Sequence, residues 1–213
     1  MSSVQTTFNP SIHGWPFSNW APGVCAGMVL GALDYFHFNI PIPTTSNAPP
    51  PQGSALHQYV TRHHASGRSL GGMSMAWQIF GTDSHFKRWA WGALDGCYFN
   101  TLRRFVDGNR PIPVLLMDRY VGIGIHHMAL GIGYDVRGRG RSDVRIHIYD
   151  PNHPGQRVYL VPIEGRGPPL DRYNRSDYDR YVPTQNGNLS TMYADRFFWG
   201  TYFVHDGYAP QRP

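Results

Sequence analysis

Apolar positions in the first half of the chain recur at helical spacing, and in the second half they crowd into short runs of strand type. Val29, Leu33 and Phe36 stand at i, i+4 and i+7, with Met28 and Ala32 widening the stripe, so residues 24–38 are predicted to form a buried helix. Pro22 and Gly23 mark its start. Weaker helical patterns cover 54–66, 73–80, 84–92 and 96–107, the last carrying Leu102, Phe105 and Val106, and the glycines of 67–81 weaken the second of these. Pro41, Pro43, Pro49, Pro50 and Pro51 make residues 40–53 a surface connection. After the helix stop Asp107-Gly108-Asn109-Arg110-Pro111, runs rich in β-branched and aromatic residues predict strands at 112–118, 126–134, 144–150, 157–162 and 196–205. Residues 1–22 read as extended and turn-rich, and 163–195 as a long excursion that shapes a cleft. The resulting class is α+β: one domain over 1–213, helical to about residue 110, then an antiparallel sheet on which the central helix packs.

The runs 125–135 and 144–152 flank Arg137-Gly138-Arg139-Gly140-Arg141, a turn composition, and so predict a β-hairpin. Folding about Gly138 and Arg139 sets His127 opposite Asp150, Ala129 opposite Ile148, Gly131 opposite Ile146 and Gly133 opposite Val144. Opposed side chains share a face, so small residues meet large ones and a histidine meets a carboxylate at the open end of the hairpin.

Composition narrows the class further. With 213 residues, 41% of them hydrophobic, the chain is long enough for one substantial core and too apolar for a disordered class. It has no apolar run approaching a membrane span, and its N-terminus lacks a basic region followed by a hydrophobic one, so the expected location is cytoplasmic as encoded, without membrane contact. The formal charge of +5 is spread over loop residues such as Arg137, Arg139, Arg141, Arg166, Arg172, Arg175 and Arg180. That is a solvated basic surface; without a dense basic helix or interleaved aromatics, nucleic acid is not an expected partner.

Cys25 opens the predicted helix, where unpaired backbone N–H groups and a partial positive charge favour a thiolate. A disulfide with Cys97, the second cysteine, would consume that thiol; Cys97 reads as buried and inert, which points to a reduced compartment. Cys25, a His127–Asp150 pair and Asn19, six residues before the cysteine, together provide a nucleophile, a base, an orienting acid and an oxyanion donor, the set acyl transfer requires. Trp15, Phe17 and Trp20 surround Asn19, which makes Trp15 and Trp20, with His126, candidates for the substrate cleft. Trp77, Phe80, Phe86, Trp89 and Trp91 are better read as packing residues.

Asn19 with Gly23-Val24-Cys25-Ala26-Gly27-Met28, His127 with Gly133-Tyr134-Asp135, and Ile148-Tyr149-Asp150-Pro151-Asn152-His153-Pro154-Gly155 resemble the motifs of papain-like cysteine peptidases, most closely a bacterial branch similar to the bacteriocin-processing peptidases. The segment 196–208 looks like the closing strand of such domains. The resemblance implies Cys25 as nucleophile, His127 as base, Asp150 as orienting acid and Asn19, where the superfamily usually has Gln, as oxyanion side chain. In the family pattern the histidine stands eight residues before the Asp of Gly-Tyr-Asp, which selects His127 over His126. It implies no cofactor and a protein or peptide substrate. Similar compact domains are protease toxins and effectors delivered by specialised secretion, which would add a cognate inhibitor protein as partner.

Two other chemistries share these residues. Transglutaminases, deamidases and arylamine acetyltransferases use the same triad with different acceptors. A zinc hydrolase would draw on His126, His127, His147, Asp150 and His153, but adjacent histidines on a strand point to opposite faces, and no HExxH helix is present.

Overall fold

Every residue from 26 to 34 of helix α2 (Cys25–His37) is buried, so its apolar character runs around the helix instead of along one stripe. The computed structural model describes residues 2–21, 23–80, 97–118, 126–137, 144–163, 180–185, 188–189 and 199–213, some helix and strand positions by their backbone alone. α2 ends where Asn39 takes a left-handed φ of 53° and the Ile40 N–H reaches back to the Tyr35 carbonyl at 2.9 Å. The same device ends α4 (Cys97–Asp107), with Asn109 at φ 55° and the Arg110 N–H on the Phe105 carbonyl at 2.9 Å. The other helices among the described residues are the short α1 (Pro10–His13) and the long α3 (Ala55–Phe80).

α3 is continuous through the glycines that read as a weak point, because one of them is a contact point. A Cβ on Gly67 would lie 2.6 Å from the Ala26 Cβ, and one on Gly27 would run into the Val60 carbonyl. The two helices therefore approach closely where one partner at each contact is a glycine. Gly27→Ala should lower the unfolding free energy by about 1–3 kcal/mol in urea titrations, as overpacking does; parental stability would mean that α3 can retreat at no cost.

The strands are β1 (Ser2–Gln5), β2 (Ile112–Asp118), β3 (His126–Val136), β4 (Val144–Tyr149), β5 (Arg157–Ile163), β6 (Arg180–Gln185), β7 (Asn188–Leu189) and β8 (Trp199–Val204). All pairings are antiparallel: β3 meets β2 and β1 along one edge and β4 along the other, β4 leads through β5 to β6, and β8 extends from β2. Among the described residues, β6 and β8 pair through Tyr181 and Trp199.

Two cores follow. Val114, Leu116, Ala129, Ile146, Ile148 and Leu160 pack on Phe99, Leu102 and Val106 of α4. Met128, Leu130, Ile132 and Tyr149 pack on α2, joined by Val60 of α3 and by Trp15 and Phe17. A bulge between Gly131 and Gly133 shifts the alternation of β3, so Ile132 faces α2 while Tyr134 faces α4.

The architecture is α+β with an antiparallel sheet and four helices among the described residues. Three expectations change. Residues 1–22 supply β1 and α1, so the sheet draws a strand from the part expected to be helical; β6 and β7 lie within the segment 163–195; and α3 is one helix. The helix expected at 84–92, with Phe86, Trp89 and Trp91, lies outside the described residues, as do the side chains of Trp77 and Phe80. Among the described residues, no helix is long and apolar enough to cross a membrane.

Candidate active site

The β3–β4 hairpin and its end carry His127 and Asp150, in a register different from that expected. Leu130 pairs with Tyr149 and Gly131 with Ile148, and beyond the bulge Gly133 pairs with His147 and Val136 with Val144. These last pairs are symmetric about position 140, later in the chain than the Gly138–Arg139 reversal expected; the reversal itself lies outside the described residues. His127 and Asp150 are therefore offset along the ladder and not directly opposed. They still meet, with His127 Nε2 2.7 Å from Asp150 Oδ1.

Asp150 is fully buried just past the end of β4 and also accepts the Asn152 N–H at 2.8 Å. Burial opposes its charge, but the charge and hydrogen bond of His127, with His153 and the Asn152 N–H, hold its carboxyl below the usual range. His127 is 4% exposed. Burial disfavours its cation, whereas Asp150 and then Cys25 favour it, and the balance raises its pKa. Because Nε2 faces Asp150, Nδ1 is the nitrogen left for the Cys25 hydrogen bond.

Cys25 begins α2, and its N-cap residue Val24 offers no side-chain hydrogen bond to the first turn. Burial pushes the thiol up, but the hydrogen bond and charge of His127, followed by the Met128 and Ala26 backbone N–H groups, bring it below its ordinary value. A lowered thiol beside a raised imidazole is the signature of a thiolate–imidazolium pair. Cys25 is a free thiol and half-buried, the least buried residue of the three.

Asn19 ties the loop before Cys25 to the turn after Asp150. Its backbone N–H donates to the Pro151 carbonyl at 2.9 Å, and its Oδ1 accepts the Val24 N–H at 2.7 Å. Oδ1 is thereby engaged, and Nδ2 is the donor of that amide.

Trp15 is not a cleft residue. It is 0% exposed, its Nε1 donates to the Met28 carbonyl at 2.7 Å, and its backbone N–H donates to the Tyr149 hydroxyl at 3.1 Å. A satisfied indole at the centre of a core explains the placement better than any ligand. Trp20 is half-buried, edge-on to Phe17 and 6.0 Å from the His57 ring, and keeps part of its face open. His126 pairs with Met117 on β3; its side chain and that of Cys97 lie outside the described residues.

Tyr149, buried beside Asp150, was not among the expected residues, yet its hydroxyl holds the strap that leads to Asn19; the only sequence signal is its place next to the acid. Among the described residues, no group of three or more His, Cys, Asp or Glu is placed to hold a metal ion. His147, one of the residues weighed as a zinc ligand, accepts from Gln5 Nε2 at Nδ1 (2.9 Å) and has Nε2 3.1 Å from Asp135. In comparisons with known proteins, no family model, curated protein or solved structure matches the chain.

Proposed function

We propose that the protein is a papain-like thiol peptidase in which Cys25, His127 and Asp150 act in that order. The observation that carries this reading is the hydrogen-bonded series from the half-buried Cys25 through a buried imidazole to a fully buried carboxylate. Such a series sets the least buried residue at one end and its support inside.

In the proposed reaction the Cys25 thiolate attacks a substrate carbonyl carbon, forming the S–C bond and an oxyanion. The Cys25 N–H and Asn19 Nδ2 donate to that oxygen. His127 gives its Nδ1 proton to the leaving amine as the C–N bond breaks, leaving a thioester. Water then loses a proton to His127, adds to the thioester and displaces the thiolate.

Two predictions concern the rate. Asn19→Ala lowers kcat/KM by roughly 10²- to 10³-fold, and Asn19→Asp, which keeps an acceptor for the Val24 N–H but has no donor, fares no better. A twofold fall or less in steady-state kinetics would remove Asn19 from the mechanism. The second concerns pH: the ion pair exists above the Cys25 pKa and below that of His127. The profile of kcat/KM should therefore be a bell whose acid limb lies below the ordinary thiol value of about 8.5 and whose alkaline limb lies above the ordinary imidazole value of about 6.5. A single rise centred on the thiol's ordinary value would contradict the pair.

Mapping of new N-termini in a lysate treated with the protein, with Cys25→Ala as control, tests the reaction itself. New termini support peptidase action; glutamine turned to glutamate without cleavage would assign a deamidase that uses the same triad. A protease toxin held by a cognate inhibitor is the role suggested by the resemblance.

A further inference from the structure

Asp34 lies on α2, the helix that begins at Cys25, with its side chain fully buried. Four donors converge on it. The Tyr59 hydroxyl and His63 Nε2 reach Oδ2 at 3.0 and 2.8 Å, while the Tyr208 hydroxyl and the Gln211 backbone N–H reach Oδ1 at 2.8 and 2.9 Å. One carboxylate thus joins α2, α3 and the segment 208–211.

The protonation of His63 follows from its two contacts. Its Nε2 faces the Asp34 carboxylate and its Nδ1 lies 3.0 Å from the Tyr59 carbonyl oxygen. Both partners only accept, so both ring nitrogens must carry hydrogens for both bonds to exist, and that species is the imidazolium. We propose that His63 is the cationic pin of a clasp at Asp34, and that its deprotonation releases the segment 208–211 from the back of α2. The proposal does not depend on the chemistry at Cys25.

The surroundings agree in sign. Burial and the adjacent Arg62 oppose the cation, but the Asp34 hydrogen bond and charge and the Tyr59 carbonyl outweigh them, so the pKa of His63 is raised. Tyr35, on α2, and Tyr59 and Tyr208 also face the carboxylate, and burial with the Asp34 charge pushes all three hydroxyls up, so none of them ionises before His63 does. The clasp is complete below the ordinary imidazole value of about 6.5 and is lost as pH rises through the raised value. A neutral ring has one N–H and must abandon either Tyr59 or Asp34. If it abandons Asp34, a buried carboxylate is left without a countercharge, a costly state. Water relieves it most readily from the side of the exposed tail residues Ala209 and Gln211.

The test uses the whole chain. Nitrogen NMR of the His63 ring between about pH 5 and 9 should show both nitrogens protonated at low pH and a midpoint above that of free histidine. Over the same interval, the exchange protection of the Gln211 amide, corrected for intrinsic rate, should fall by about tenfold or more. In His63→Gln, which keeps a donor for Asp34 and cannot titrate, that protection should be flat. If this variant does not fold, the ring spectra of the parent decide alone. A singly protonated ring at pH values below the free-histidine midpoint, or a Gln211 protection that follows the same course in parent and variant, overturns the proposal.

Discussion

A Cys25→Ala protein folds like its parent and loses peptide hydrolysis by on the order of 10⁴- to 10⁶-fold, the scale seen when a nucleophile is deleted from a covalent mechanism. Folding survives because Cys25 is half-buried at the first position of α2, while the packing that fixes the helix comes from residues 26–34. Activity does not survive because the alanine has no sulfur to attack the substrate carbonyl. Circular dichroism and peptide cleavage, run on the same preparation, check both halves. A folded variant that still cleaves at the parental rate would remove the thiol from the chemistry.

Asp150→Ala has the second-largest effect, and it falls on stability as well as rate. Removing the carboxylate leaves His127 Nε2 and the Asn152 N–H without the acceptor they share, in a site where His127 is 4% exposed. Breaking a buried pair from one side costs about 3–5 kcal/mol. The pH dependence has a defined sign. The Asp150 pKa is depressed, so its contribution is present above about 3.9 and fades as pH falls through the folded value; the His127 pKa is raised, so its contribution is full below about 6.5 and fades as pH rises through the folded value. Urea unfolding at several pH values should therefore show the widest gap between parent and variant in the interval between those two limits. Asp150→Asn, which restores an acceptor for His127, should recover part of the loss. A gap under about 1 kcal/mol throughout, the worth of an exposed pair, would mean that the buried carboxylate does not hold the imidazole.

Several of these features are legible in the sequence, and the reasons they are legible differ. The helix at 25–37 shows because apolar spacing and a Pro-Gly start coincide, and β3 and β4 show because their β-branched and aromatic runs are bounded by a turn composition. Their register does not show. The reversal centres on position 140 instead of between Gly138 and Arg139, and the bulge at Ile132 then shifts the ladder by one residue; Gly131 and Gly133 beside it are the sign of a bulge in the chain, but they do not fix the pairing. The displacement nevertheless keeps Asp150 and His127 within 2.7 Å, which is why the pair can be anticipated with the wrong alignment. Gly67 looks like a helix breaker from the chain alone and becomes a packing device only once Ala26 is seen against it. Trp15 has the same sequence neighbourhood as Trp20; that one is core and the other half-open depends on the Met28 carbonyl and the Tyr149 hydroxyl, groups distant in the chain. Asp34 is the clearest omission. A single acid in an apolar helix gives no sign of partners that stand 25, 29 and 174 residues away.

The thiolate–imidazolium pair is the claim on which the proposed chemistry turns, and the pH dependence of Cys25 alkylation by iodoacetamide, followed by peptide mass spectrometry so that Cys97 is scored apart, tests it without any substrate. The expected result is a reaction already near its plateau well below the ordinary thiol value of about 8.5, and a His127→Ala protein whose profile moves toward that ordinary value. A Cys25 that reacts only as pH approaches 8.5, identically in both proteins, would contradict the pairing of Cys25 with His127.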